Sequence, residues 1–196
     1  MLRKFAIFLC CGFLSLSIKA QKFGGGLILG LSTSQVSGDN LGGFNKAGLL
    51  FGGFIDLQLS KTLKGQMEMT FIQKGSNNPK MNKNEITDIS LSYIEIPLVI
   101  KYQQSNIIAI ETGLETAFLI NSYDNDLYGK IINRPFNKTD ISIFIGMDYY
   151  INPKLILNSR ISNSIIPIRA HASGATFQLN KGQYNSVLSF SLHYIL

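Results

Sequence analysis

Ten charged side chains stand at alternate places within otherwise apolar stretches: Asp56, Lys64, Glu68, Glu95, Lys101, Glu111, Glu115, Asp140, Asp148 and Arg160. An isolated ionised group kept from water is too costly to persist, so such groups pair, change protonation, or hold water or a cation. Seven carboxylates against three firm cations, with His193 nearby in pattern, describe an acid-rich polar network more than a set of separate ion pairs. Catalytic chemistry is far less well supported. His171 and Ser173 lie close together in "HASG", but a nucleophile also needs its base within reach and a group that orients the base. The run "DNDLYG", Asp124 to Gly129, echoes a calcium loop only faintly, because Tyr128 stands where Asp or Asn is wanted. His193 reads as a polar filler. No metal cluster, phosphate-binding glycine loop or nucleic-acid signature occurs, so no catalytic residue, metal or cofactor is expected.

The elements that position these charges repeat one design with a period of two. Eight such stretches lie near 23–34, 46–59, 63–73, 89–102, 106–120, 140–151, 154–164 and 184–196. Each reaches the roughly 9–11 residues of a tilted membrane-spanning strand, whereas soluble strands are most often about 5–6 residues long. One face carries Leu27, Leu29, Leu31, Phe51, Ile55, Met67, Met69, Ile94, Ile96, Leu98 and Ile100, and continues through Ile110, Leu114, Ile143, Ile145, Leu157, Ile161, Leu188, Phe190 and Leu192. The charges sit on the other face. Glycines of the first two stretches make room inside a narrow barrel.

In a soluble sandwich or lipocalin-type barrel the charged face would meet water. Two features favour the inverted arrangement. Long connections near 35–45, 74–88, 121–139 and 165–183 alternate with tight turns near 60–62, 103–105 and 152–153, the outer-membrane pattern of long external loops and short periplasmic turns. Aromatic residues also cluster toward the ends of the apolar face. Tyr102, Tyr149 and Tyr194 fall near the short turns, and Phe71, Phe118 and Tyr184 near the long loops, as in two interfacial girdles. The expectation is an all-β, eight-stranded antiparallel up-and-down transmembrane barrel over 21–196. Lipid demands its closure, since an open edge would leave backbone groups unsatisfied in hydrocarbon.

Residues 1–20 read as a cleaved export signal: Arg3 and Lys4 precede an apolar run from Phe5 to Ile18, too short to span as a helix, with cleavage after Ala20. Both cysteines, Cys10 and Cys11, fall within it, so the mature chain would have no thiol chemistry. Of 18 basic and 12 acidic residues overall, Arg3, Lys4 and Lys19 would leave with the signal. The small excess that remains gives no reason to expect nucleic acid.

The stretch "YIEIPLVIKY", with Tyr93, Glu95 and Pro97, resembles the Tyr-x-Glu-x-Pro signature of the PorT-like outer-membrane β-barrel family of Bacteroidota, whose members are often called porins. "GGGLILGLSTS", "FGGFIDLQLSKTLKGQMEMTFIQKG" and "IETGLETAFLI" extend the resemblance over nearly all of 21–196. These motifs are strand patterns, not active-site residues. The resemblance implies an outer-membrane location, insertion by the barrel-assembly machinery, and an accessory role in protein secretion among the possible functions. Pro97 lacks an N–H, so a bulge or a missing ladder bond is expected there.

A barrel of eight strands encloses a space that side chains fill, while aqueous channels need about 16. The interior is therefore expected to hold a cross-lumen network centred on Arg160, with Glu68 and Glu111 as acceptors, joined by Asp56, Glu95, Lys101, Glu115, Asp148 and His193. A static polar plug and a narrow gated path both fit that network. Lys74, Lys80, Lys83, Arg134, Lys138, Arg169 and Lys181 fall in the long loops, as contacts for lipopolysaccharide phosphates or as ordinary solvated charge. The function read from the sequence is structural, binding or accessory, with outer-membrane lipid, lipopolysaccharide and other envelope or secretion proteins as partners. A secretion accessory, a narrow channel and a lipid A-modifying enzyme remain alternatives.

Overall fold

Period-two alternation becomes nine strands: β1 (Phe23–Ser37), β2 (Lys46–Gln58), β3 (Leu63–Asn77), β4 (Asp88–Gln103), β5 (Ile108–Asp126), the two-residue β6 (Gly129–Lys130), β7 (Thr139–Asn152), β8 (Leu155–Ser164) and β9 (Tyr184–Ile195). The structure, a computed structural model, describes residues 23–39, 43–77, 88–126, 129–130, 134–170 and 182–196. The expected export signal with Cys10 and Cys11, and the pair His171 and Ser173, lie outside the described residues.

The eight long strands close on themselves. Neighbours run β4-β3-β2-β1-β9-β8-β7-β5, and β4 pairs with β5 to complete the ring. All pairings are antiparallel. β6 only prolongs the end of β5. Closure leaves no long strand with a free edge, which hydrocarbon requires.

The alternation resolves as inverted. Leu29, Ile145 and Leu98 are 67%, 58% and 57% exposed, while Lys101, Glu111 and Asp148 are buried. Apolar side chains stand outward around the whole circumference, far beyond the apolar patches of soluble monomers. Phe71, Phe118, Tyr102, Tyr149 and Tyr194 are on this outer face, and Phe71 stacks on Phe51 across the β2–β3 pair with ring centroids 5.0 Å apart. Tyr184 corrects the girdle: it is only 3% exposed. It opens β9 directly after Gln183, which bridges antiparallel to Arg169.

The three tight turns share one device. The Ser60 hydroxyl accepts from Leu63 N, the Ser105 hydroxyl from Ile108 N, and Asn152 Oδ1 from Leu155 N, at 3.1, 3.2 and 2.9 Å. A short polar side chain thus takes over the turn's backbone donors. At the other end several strands run further than their apolar patterns: β1 to Ser37, β3 to Asn77 and β5 to Asp126. Lys74 is therefore not a loop residue but a buried strand residue.

Pro97 and the bulge are separate features. The β3–β4 pairs Met67↔Leu98 and Thr70↔Glu95 share one register, and the intervening pairs, Pro97's among them, are missing. No residue is inserted there. The register shift lies between Ser92 and Tyr93 on the other side of β4, where Asn121 and Leu119 are the successive partners. Beyond it the parity of β5 reverses, and Asp124 turns inward.

Candidate functional site

The lumen carries two charged layers. In the lower one, Lys101, Glu111, Gly146 and Arg160 form a single row around the wall of β4, β5, β7 and β8. Gly146 lacks the side chain that would separate its neighbours, so Arg160 Nε reaches Glu111 Oε1 at 2.8 Å. A Cβ on Gly146 would stand 2.6 Å from that same oxygen. Across the lumen, the other two guanidinium nitrogens donate to both oxygens of Glu68, at 3.1 and 2.9 Å. Lys101 donates to Asp148 at 2.6 Å and lies 3.3 Å from Glu111. Asn158 donates to Glu111 and Asp148, and Gln66 to Glu68. Phe144 lies 4.2 Å beneath the Arg160 guanidinium. Charge-assisted, forked bonds of this kind are the strong ones.

The upper layer is built on Lys74. Its Nζ lies 2.5 Å from Glu95, 3.9 Å from Glu115 and 3.8 Å from Asp140, with the Tyr93 ring 5.4 Å away. Ala117, itself buried, stands between Glu95 and Asp140 in the same row. Asn185 donates to Asp140 at 2.8 Å. Between the layers is a chamber of about 20 Å³, room for one water-sized particle, lined by Glu68, Glu95, Glu115, Arg160 and His193 on its polar side. Ile28, Leu50, Ile72 and Val187 form its apolar side.

Arg160, Glu68, Glu111, Lys101 and Asp148 thus share one network. Glu95 and Glu115 belong to the other, with Lys74 as their cation. Asp56 is in neither: it lies 3.6 Å from Lys64. His193 is buried beside the lower layer, its Nε2 3.0 Å from the Ser191 hydroxyl and its ring 5.5 Å from Phe54. Tyr93, Glu95 and Pro97 point inward as one row of β4. Among the described residues no group of His, Cys, Asp or Glu could hold a metal ion.

The apolar part of the lumen was hidden in the sequence. Ile28, Leu50, Phe54, Ile72, Leu91, Tyr93 and Val187 pack as one buried cluster inside the barrel, at positions whose parity assigns them to the polar face. Parity was the available signal, obscured by their apolar neighbours on both sides. At the far end Arg169 is also buried, not free for phosphates. It bonds Asp124 and Gln183 and lies 4.1 Å from the Phe136 ring. Lys138 is exposed, whereas Lys80, Lys83 and Lys181 lie outside the described residues.

Residues 18–169 match the family described as outer membrane protein beta-barrel domain. The chain belongs to this family. It is an outer-membrane β-barrel, as its lipid-facing belt and closed ladder require. No curated protein matches the chain in sequence. Among solved structures it is similar to Ail, the attachment invasion locus protein of Yersinia pestis, with a TM-score of 0.55, 9% identity, and coverage of 89% of this chain and 99% of that one. Neisserial surface protein A is similar at a TM-score of 0.52 and 12% identity, covering 88% and 96%. At such identities the likeness is one of fold.

Proposed function

We propose that this barrel acts as a closed, non-catalytic body of the outer membrane that offers its long connections to a partner in the envelope. The filled lumen carries this reading: guanidinium, ammonium and carboxylate groups bridge it at two levels, with apolar side chains beside them. Eight strands leave no room for a general pore.

The resemblance of Tyr93, Glu95 and Pro97 to the PorT-like signature supports a finer reading, an accessory subunit of a protein secretion system. Its contacts would be outer-membrane lipid, lipopolysaccharide and other envelope proteins, after insertion by the barrel-assembly machinery. Both termini and the tight turns face the periplasm in this reading. The inward place of the three motif residues suits a structural signature of the wall.

Mild-detergent extraction from native outer membranes, followed by size and composition analysis, tests it. A stoichiometric envelope partner is the expected result, and a lone barrel-sized species would remove the secretion reading. A lipid A mass change dependent on His171 or Ser173 would overturn the non-catalytic assignment.

A further inference from the structure

The two lumenal layers differ in how their charges balance. In the lower layer Lys101 and Arg160 face three carboxylates, each held by a charge-assisted hydrogen bond. In the upper layer one ammonium faces three. Lys74 is in close contact with Glu95 alone, because Glu115 and Asp140 lie beyond hydrogen-bond length. All four groups are almost fully buried.

Three carboxylates there stand against a single ammonium. Apart from the Lys74–Glu95 ion contact, Lys74 Nζ, Glu95 Oε1, Glu115 Oε1, Asp140 Oδ1, Asn185 Oδ1 and the Tyr93 hydroxyl are buried without an aligned hydrogen-bond partner among the described residues. Asn185 is tied to the cluster through Asp140 and Tyr93 through its ring against Lys74, so these atoms belong to one site. Two buried charges left uncompensated are too costly to keep. A metal ion does not answer the need, since the carboxylates surround an ammonium and do not converge on a common point. A proton does. It removes a charge and lets one carboxyl group donate to a neighbouring carboxylate or to Asn185 Oδ1.

We infer that Lys74, Glu95, Glu115 and Asp140 form a proton-binding site in the upper lumen, which holds at least one shared proton at neutral pH. The groups facing it are Lys74 from β3, Tyr93 and Glu95 from β4, Glu115 from β5, Asp140 from β7 and Asn185 from β9. Across the chamber stand Glu68, Arg160 and His193, while Ile28 and Leu50 supply the apolar wall. The proton lies on a carboxylate oxygen and is lost to solvent as the pH rises, which leaves the cluster with two uncompensated charges. The folded barrel then binds more protons than the unfolded chain, so its stability falls with rising pH.

Purified full-length protein in detergent micelles is heated at intervals between about pH 5 and pH 9, and the unfolding midpoint is read for wild type, Glu115→Gln and Asp140→Asn. The wild-type midpoint falls toward alkaline pH, and either variant loses about half of that fall and exceeds wild type at the alkaline end. The infrared spectrum of the wild type alone shows the carbonyl band of a protonated carboxyl group at neutral pH, and the band vanishes on alkaline titration. A midpoint independent of pH, variants with the wild-type slope, or absence of that band each overturn the proposal. A midpoint at alkaline pH restored by sodium but not by choline would assign the site to a small cation and overturn it too.

Discussion

Arg160 of β8 and Glu68 of β3 meet across the lumen in a forked pair, 92 residues apart in sequence, with nitrogen to oxygen distances of 2.9 and 3.1 Å. A bracing contact between opposite walls differs in kind from the ladder bonds between neighbours. It fixes the width of the barrel at that level, and Glu111 fixes the height of the guanidinium by holding Nε.

Replacing Arg160 with Met leaves Glu68 buried without its cation and Glu111 with Lys101 as its sole cationic contact. Breaking such a pair from one side costs about 3–5 kcal/mol, mostly from the stranded charge. Replacing both partners with apolar groups costs much less. The urea midpoint of the folded barrel is therefore expected to drop sharply in Arg160→Met and to recover in large part in Arg160→Met/Glu68→Leu. A double variant as weak as the single one would refute the stranded-charge account.

Gly146→Ala tests the opening through which Arg160 meets Glu111. The new Cβ would lie 2.6 Å from Glu111 Oε1 and 2.8 Å from Ser159 O, so backbone as well as side chain must shift. A cost of about 1–3 kcal/mol is expected, as for overpacking elsewhere. Gly53 is the control: it faces outward, and its nearest neighbour to a new Cβ is Gly26 O at 3.3 Å. Gly53→Ala should be close to neutral in the same unfolding assay.

Alternation and connection lengths made the barrel legible in the sequence, because a lipid-facing wall permits polar residues at one parity only. That rule constrains the outside and says little about the inside. Ile28, Leu50, Ile72 and Val187 obey it while being apolar, so an interior expected to be polar throughout is partly greasy. Lys74 escaped because the apolar row of β3 ends at Phe71 while the strand continues above the membrane to Asn77. Asp124 and Tyr184 failed for a different reason. A bulge reverses parity before Asp124, and an isolated bridge between Arg169 and Gln183 immediately precedes Tyr184. Neither leaves a mark in hydropathy. The Arg160 network was legible, since charges forced to one side of a narrow barrel have few places to go.

Arg169→Ala should loosen the far end of the barrel without disturbing the ladder below. Its guanidinium joins Asp124 of β5 to Gln183, which in turn donates to Gly38 O beyond β1. Three connections thus rest on one side chain. Losing a buried charged partner of this kind costs about 1–3 kcal/mol locally. Protease added to intact cells or vesicles is expected to cut the variant in its long connections faster than wild type. The heat-unfolding midpoint, set by the ladder, should move little, and unchanged cleavage would show that Arg169 is not the fastener.

If the Arg160 network were the gate of a narrow path, Arg160→Ala would open it. The geometry argues otherwise, because the block is double. Above Arg160 the chamber is bounded by Ile28, Leu50, Ile72 and Val187, and beyond them Lys74 is buried among Glu95, Glu115 and Asp140. The packed apolar side of that chamber and the Lys74 cluster above it both remain after removal of a charge beneath them. Planar-bilayer recordings of wild type and Arg160→Ala should therefore show the same baseline without steady unitary currents. Arg160→Ala combined with Leu50→Ser should be the variant that begins to conduct, since it removes one element of each barrier. Sustained currents in Arg160→Ala alone would make the lower layer the gate and the upper layer a passive lining.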